Sequence, residues 1–205
     1  MNSQNYKLVI FDLDGVIINS KENMRLSWDF VSKEFNLDIP FENYFNLIGR
    51  PFKDILTALN INDLQTDIEN YYNRKSKENI NYINYYPNAV DTLKYLHSKG
   101  MKLAIVTSKD KDRTNLFIKD IKNLFSIIVC PTPFLKGKPY PDQILFAIKE
   151  TSVVAKKSIY IGDMTVDSDA ASAANISYLH AGWGYGKFDG PSKLILKNFE
   201  QLKNL

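Results

Sequence analysis

Five short runs in this chain are apolar at nearly every position: KLVIF (7–11), KLAIVT (102–107), SIIVC (126–130), SIYIGD (158–163) and ISYLHA (176–181). A strand covered on one face alternates apolar and polar residues, whereas a strand covered on both faces does not, so these runs predict buried strands of a parallel sheet. Helix-length intervals separate the later runs. In NAVDTLKYLHSKG (88–100), Val90, Leu93 and Leu96 recur at helical spacing and Gly100 supplies a C-terminal stop. The alternation reads as βαβ units and predicts an α/β fold with a doubly wound parallel sheet.

The first interval breaks this rhythm, because residues 12–101 are far more than one crossover helix needs. Helical patterns occur within it, as in MRLSWDFVSKEF (24–35) and FKDILTALN (52–60), but no convincing strand. The reading is a helical subdomain over residues 20–85, hung from the loop after the first strand, with 1–19 and 86–205 forming the sheet core. The boundary falls at Tyr85-Tyr86-Pro87-Asn88, where proline resets the backbone. Ligands of open α/β sheets bind at the carboxyl ends of the strands, so such an insertion is expected to cover the site as a lid.

Composition narrows the class without naming a chemistry. Apolar residues at 44%, charged residues at 24% and a net charge of +3 over 205 residues describe an ordinary globular chain with no basic footprint for nucleic acid. Cys130 is the single cysteine, which rules out an intrachain disulfide and reads as a buried strand residue. The opening MNSQNYKLVI lacks the pattern of a signal peptide, and no apolar run approaches the roughly 18 residues of a membrane span. A cytoplasmic protein with neither nucleic-acid nor membrane partners is expected, as monomer or homodimer.

Chemistry gathers where the predicted strands end. The first ends in Asp12-Leu13-Asp14-Gly15, the second in Thr107-Ser108-Lys109, and the fourth in Gly162-Asp163, with Asp167 shortly after. A parallel sheet delivers all of these to one edge, where close carboxylates repel and call for a cation. Hard oxygen ligands favour Mg²⁺, which takes one or two carboxylates and leaves room for phosphate oxygens. Thr107 and Ser108 offer hydrogen-bond donors to a phosphoryl oxygen, and Lys138, in KGKPYPD, offers a balancing cation. Each fragment alone has a commonplace explanation as a turn, a helix cap or a solvated loop. Their conjunction at successive strand ends points to phosphoryl transfer.

These motifs resemble those of the haloacid-dehalogenase-like phosphatase superfamily: DLDGV (12–16), the strand ending in Thr107, Lys138 of KPYPD and GDMTVD (162–167), in the family's order. The interval 20–85 is similar in position to the family's helical cap. IGRPFKDIL (48–56), YPNAVDTLKYLHSKG (86–100) and AGWGYG (181–186) resemble the branch of phosphoglycolate and sugar-phosphate phosphatases. The resemblance implies a Rossmann-like core and a small phosphorylated metabolite as substrate. It also implies an aspartyl-phosphate formed on Asp12, with Asp14 as acid and base. Mg²⁺ would be held by Asp12, the main-chain carbonyl of Asp14 and Asp163, with Asp167 in support.

Thr107, Ser108 and Lys138 would bind the phosphoryl group, and Arg50 would reach from the cap to a distal anion. A phosphosugar mutase resembles this pattern too, but such enzymes carry a cap histidine where this chain has Met24, which favours hydrolysis. A non-catalytic binding protein on the same fold is the remaining alternative.

Overall fold

The computed structural model describes residues 6–205, so the first five residues, on which the signal-peptide reading and the start of the 1–19 segment partly rest, lie outside it. In chain order the elements are β1 (Leu8–Phe11), β2 (Ile18–Asn19), α1 (Lys21–Glu34), α2 (Phe41–Phe45), α3 (Phe52–Ala58), α4 (Gln65–Glu78), β3 (Asn84–Tyr85) and α5 (Ala89–Ser98). They continue with β4 (Lys102–Val106), α6 (Lys111–Phe117), β5 (Ile127–Val129), α7 (Asp142–Thr151), β6 (Ser158–Gly162), α8 (Thr165–Ala173), β7 (Ser177–Ala181) and β8 (Ile195–Leu196). Among the described residues no helix is long and apolar enough to cross a membrane.

Six strands form one parallel sheet in the order β5-β4-β1-β6-β7-β8. Its two faces explain the unbroken apolar runs. Val9, Phe11, Leu103, Ile105, Ile159 and Ile161 point to the side packed by Leu93 and Leu96 of α5. Leu8, Ile10, Ala104, Val106 and Tyr160 point to the other, covered by Ile144 and Ala147 of α7 and Ala170 and Ala171 of α8. Every position of β1, β4 and β6 except Lys102 is thus interior, and alternation has nothing to mark. Register pairs Phe11 with both Ile105 and Ile161, so β4, β1 and β6 stop at nearly the same level. The predicted fold class is the observed one; β4, β5 and β6 end one residue before their apolar runs do, and β1 and β7 end with theirs.

Helices α1 to α4 follow β1 and build a second apolar cluster around Trp28, Val31, Leu56 and Ile68. Trp28 stacks on Tyr44 at 4.5 Å between ring centres and donates its indole N–H to the carbonyl of Ile39. The buried Asn23 ties α1 to α4 by donating to the carbonyls of Ser76 and Asn79 and accepting from Ser76 Oγ. A polar side chain survives in this interior because its hydrogen bonds are made within it.

Two elements escape the hydrophobic pattern. The sequence reading found no strand between residues 20 and 85, yet Asn84–Tyr85 is one, paired antiparallel with Ile18–Asn19. The chain leaves the sheet core for the helices and returns through this two-strand ribbon. Strand β8 closes the far edge of the sheet and is likewise two residues long. Periodicity cannot register two residues, and both strands are created by partners distant in sequence.

Candidate active site

The level ends of β4, β1 and β6 set the site. Asp12 is the first residue beyond β1, held by its N–H to the carbonyl of Ile161, and its carboxylate is buried. The chain then turns tightly, with Ile17 N–H donating to Leu13 O and Gly15 N–H to Ile18 O. Gly15 has φ +82°, and a Cβ there would stand 2.1 Å from Asp163 Oδ2. Glycine is therefore required twice over, for the left-handed backbone and for the close passage of the Asp163 carboxylate.

One carboxylate oxygen from each of Asp12, Asp163 and Asp167 lies within 4.8 Å of the others, and all three residues are buried. Lys138 Nζ, itself fully buried, reaches Asp167 Oδ1 at 2.6 Å and Asp12 Oδ1 at 3.0 Å. Asp167 has a second duty, since its Oδ2 accepts the N–H groups of Asp163 and Met164 and caps α8. The commonplace reading of GDMTVD as a helix cap and the functional reading describe the same side chain. Asp163 Oδ2 accepts from Tyr185 N–H at 2.7 Å, whereas its Oδ1 is buried and has no hydrogen-bond partner among the described residues.

One ammonium faces three buried carboxylates here. Burial pushes the Asp12 carboxyl up to about 7, with Lys138 pulling it down and Asp167 and Asp14 pushing it further up. Burial also carries Asp163 well above the carboxylate range, reinforced by Asp167 and Asp12. Lys138 is raised despite burial, because Asp12 and Asp167 hold its proton. The donor set and the orphaned Asp163 oxygen fit a hard divalent cation, which would relieve both the repulsion and the missing partner.

The carboxylate of Asp14 is not part of this cluster. It accepts from the hydroxyl of Ser20, at the end of the β2 turn, and forms an ion pair with Lys109 Nζ at 3.1 Å. Two neighbouring aspartates thus occupy different surroundings, one among carboxylates and Lys138 and the other beside a hydroxyl and Lys109.

The other predicted residues are placed as follows. Thr107 is buried directly after β4 and borders the same cavity as Asp12 and Asp14. Its Oγ1 also accepts from Lys109 N–H, so it turns the chain as well. Ser108 borders the cavity, but its hydroxyl donates to Gly49 O at 2.6 Å, joining the loop after β4 to the segment between α2 and α3. Arg50, one residue further, is exposed at the cavity margin, and its side chain makes no hydrogen bond or ion pair among the described residues.

The cavity is small, about 50 Å³, and its upper wall comes from the helices, including Met24, Tyr44, Phe52 and Tyr72. Sequence reasoning left four of its groups without a role. Lys109 stood in plain view after Thr107-Ser108. Arg113 was hidden in KDKDR, which reads as a solvated charge run, although in the fold it is buried. Nothing local marks the hydroxyls of Tyr44 and Tyr72, which hydrogen-bond to each other at 2.9 Å. The Tyr185 hydroxyl, on the loop after β7, accepts from Ser20 N–H at 2.7 Å.

Comparison with known proteins finds similarity along most of the chain. Residues 9–181 match the family described as haloacid dehalogenase-like hydrolase. A phosphoglycolate phosphatase of Aquifex aeolicus is 29% identical over 188 residues, covering 89% of this chain and 88% of its own. The pyrophosphatase PpaX of Oceanobacillus iheyensis is 23% identical over 179 residues, covering 86% and 84%. In structure, a hydrolase from Pseudomonas syringae superposes with a TM-score of 0.84 at 23% identity, covering 97% of this chain and 96% of its own.

Proposed function

Because the chain belongs to the haloacid dehalogenase-like hydrolase family, we propose that it is a Mg²⁺-dependent phosphatase that hydrolyses a small organic phosphate through an aspartyl-phosphate on Asp12. The observation that carries this reading is the gathering of Asp12, Asp163 and Asp167 around Lys138, with Asp14 held apart in a different environment 2 residues beyond Asp12. Relatives named for phosphoglycolate and for pyrophosphate support a small substrate.

Asp12, Asp163 and the main-chain carbonyl of Asp14, with Asp167 in support, would hold the Mg²⁺. Bound there, the ion would screen the carboxylates from one another and draw negative charge off the phosphoryl oxygens. Asp12 then attacks phosphorus in line with the leaving oxygen, forming an O–P bond as the ester O–P bond breaks. Asp14 delivers a proton to the departing alkoxide and later takes one from the water that hydrolyses the acyl phosphate. Thr107 donates to a phosphoryl oxygen, and Lys138 balances charge on the transferring group while fixing the Asp12 carboxylate.

Residues 20–85 act as a cap over this site. The ribbon of β2 and β3 carries them, and the Ser108 to Gly49 hydrogen bond supports closure onto the core. Met24 places an apolar side chain in the cavity wall, where a mutase needs a proton carrier for a second hydroxyl, so water is the expected acceptor.

The test is phosphate release from a panel of phosphoglycolate, pyrophosphate, sugar phosphates, nucleotides and an aryl phosphate, with and without Mg²⁺. Metal-dependent release that Asp12→Asn abolishes is the expected result. No release from any member, or release that Asp12→Asn leaves intact, overturns the proposal. A new phosphomonoester in place of inorganic phosphate from a hexose 1-phosphate would assign a mutase instead.

A further inference from the structure

Arg113 is an arginine of the core that the chemistry above does not use. It lies in the first turn of α6, its side chain is 7% exposed, and it borders the cavity that also contains Asp12 and Asp14. Burying a guanidinium costs several kcal/mol unless it is paired, so its surroundings should account for it. Asp110, the N-cap of α6, engages it at Nε and stands on the solvent side, outside the cavity wall. Among the described residues no carboxylate meets the two terminal nitrogens.

On the cavity side Arg113 faces Tyr72 of α4, whose ring centre is 5.2 Å from the guanidinium carbon. Tyr44 donates its hydroxyl proton to Tyr72, which leaves the Tyr72 proton to be given elsewhere. The guanidinium of Arg113 and the Tyr72 hydroxyl border the same cavity as Asp12 and Asp14 and add hydrogen-bond donors to its wall. A guanidinium held at one edge by Asp110 and in contact with the Tyr72 hydroxyl, with no carboxylate on its terminal nitrogens among the described residues, suits a planar or tetrahedral oxyanion.

Size limits what can reach both Asp12 and Arg113. Asp12, Asp14 and Arg113 border one small cavity of about 50 Å³. A ligand that meets both Asp12 and Arg113 within this one cavity is therefore short.

We propose that Arg113, with the Tyr72 hydroxyl, binds a second anionic group on the leaving group, so that this site selects a short organic phosphate that is charged at both ends. The inference rests on the phosphatase reading and adds a specificity-determining residue to it. Arg113 reaches the substrate from the core, so the helices contribute a tyrosine donor and the apolar wall rather than the principal charge.

The test compares kcat/KM for 2-phosphoglycolate and for its neutral amide, in the wild-type protein and in Arg113→Met and Arg113→Lys. The amide matches the acid in size and serves as an internal control for folding in each variant. The expected result is that wild type prefers the acid, and that Arg113→Met costs the acid at least about 30-fold more than it costs the amide. Arg113→Lys, which keeps the charge and loses the fork, should fall between them. Equal losses on the two substrates, or no preference in wild type, overturn the proposal. Phosphate release from neither substrate while other members of the panel are hydrolysed overturns it as well. Release from no member of the panel would instead defeat the phosphatase reading beneath it.

Discussion

The ammonium of Lys138 lies 3.0 Å from Oδ1 of Asp12, at the level where β1 ends. It also meets Asp167 at 2.6 Å, so removal of this one cation leaves two buried carboxylates facing each other. Lys138→Met should lose about 3 to 5 kcal/mol of stability in the metal-free protein, as expected when a buried ion pair is broken from one side. Part of that loss should return on adding Mg²⁺, while phosphatase activity does not. Thermal melts with and without the ion, alongside phosphate release, check both halves.

Asp12→Asn makes the opposite change. It takes a charge out of the crowded cluster while keeping shape, so metal-free stability near pH 8 should rise or hold. Turnover should drop by roughly 1,000-fold or more, because the attacking oxygen is gone. Circular dichroism melts and a phosphate-release assay on one preparation separate the two effects.

Metal-free stability should depend on pH in a stated direction. Asp12 titrates near 7 in the fold against 3.8 in the unfolded chain, because burial disfavours its charged form. The folded state therefore holds the proton longer. The contribution is fully present below about pH 4 and is lost as pH rises through about 7. Asp163, raised for the same reason, acts in the same sense. Saturating Mg²⁺ competes with these protons, so its binding should strengthen across the same window. Urea midpoints measured at intervals between pH 4 and 8, with and without the ion, test the sign. A metal-free midpoint that rises steadily over that range would contradict it.

Two glycines with positive φ should respond very differently to alanine. Gly15 and Gly100 have φ of +82° and +77°, but a Cβ at Gly15 would collide with Asp163, while at Gly100 nothing lies within 4 Å. Gly100→Ala should cost about 1 to 2 kcal/mol from backbone strain alone and leave activity unchanged. Gly15→Ala should cost more and should impair Mg²⁺ binding, because Asp163 must move. Melting temperatures and Mg²⁺ titrations of the two variants provide the comparison.

Much of this protein was legible before its fold. Runs such as KLVIF and SIYIGD had to be strands buried on two faces, because so few polar positions interrupt them. Asp12, Thr107 and Asp163 had to meet once those strands were parallel. The resemblance to a known family supplied the order of the motifs and the place of the helical insertion. Short-range spacing failed where an element exists only through a distant partner. Asn84–Tyr85 is a strand only because Ile18–Asn19 lies beside it.

The sequence by itself determined which chemistry is gathered, since backbone periodicity is local and it carries three motifs to strand ends, with Lys138 in the loop before α7. Only the tertiary structure decided how those groups are divided. Asp14 meets Lys109 and Ser20, while Asp12 meets Lys138. Arg113, from a stretch that reads as solvated, is buried beneath Tyr72 at the cavity wall. Which side chains share a dry enclosure depends on contacts between segments far apart in the chain. Burial and pairing, which set the charge and reach of each group, are properties of that enclosure.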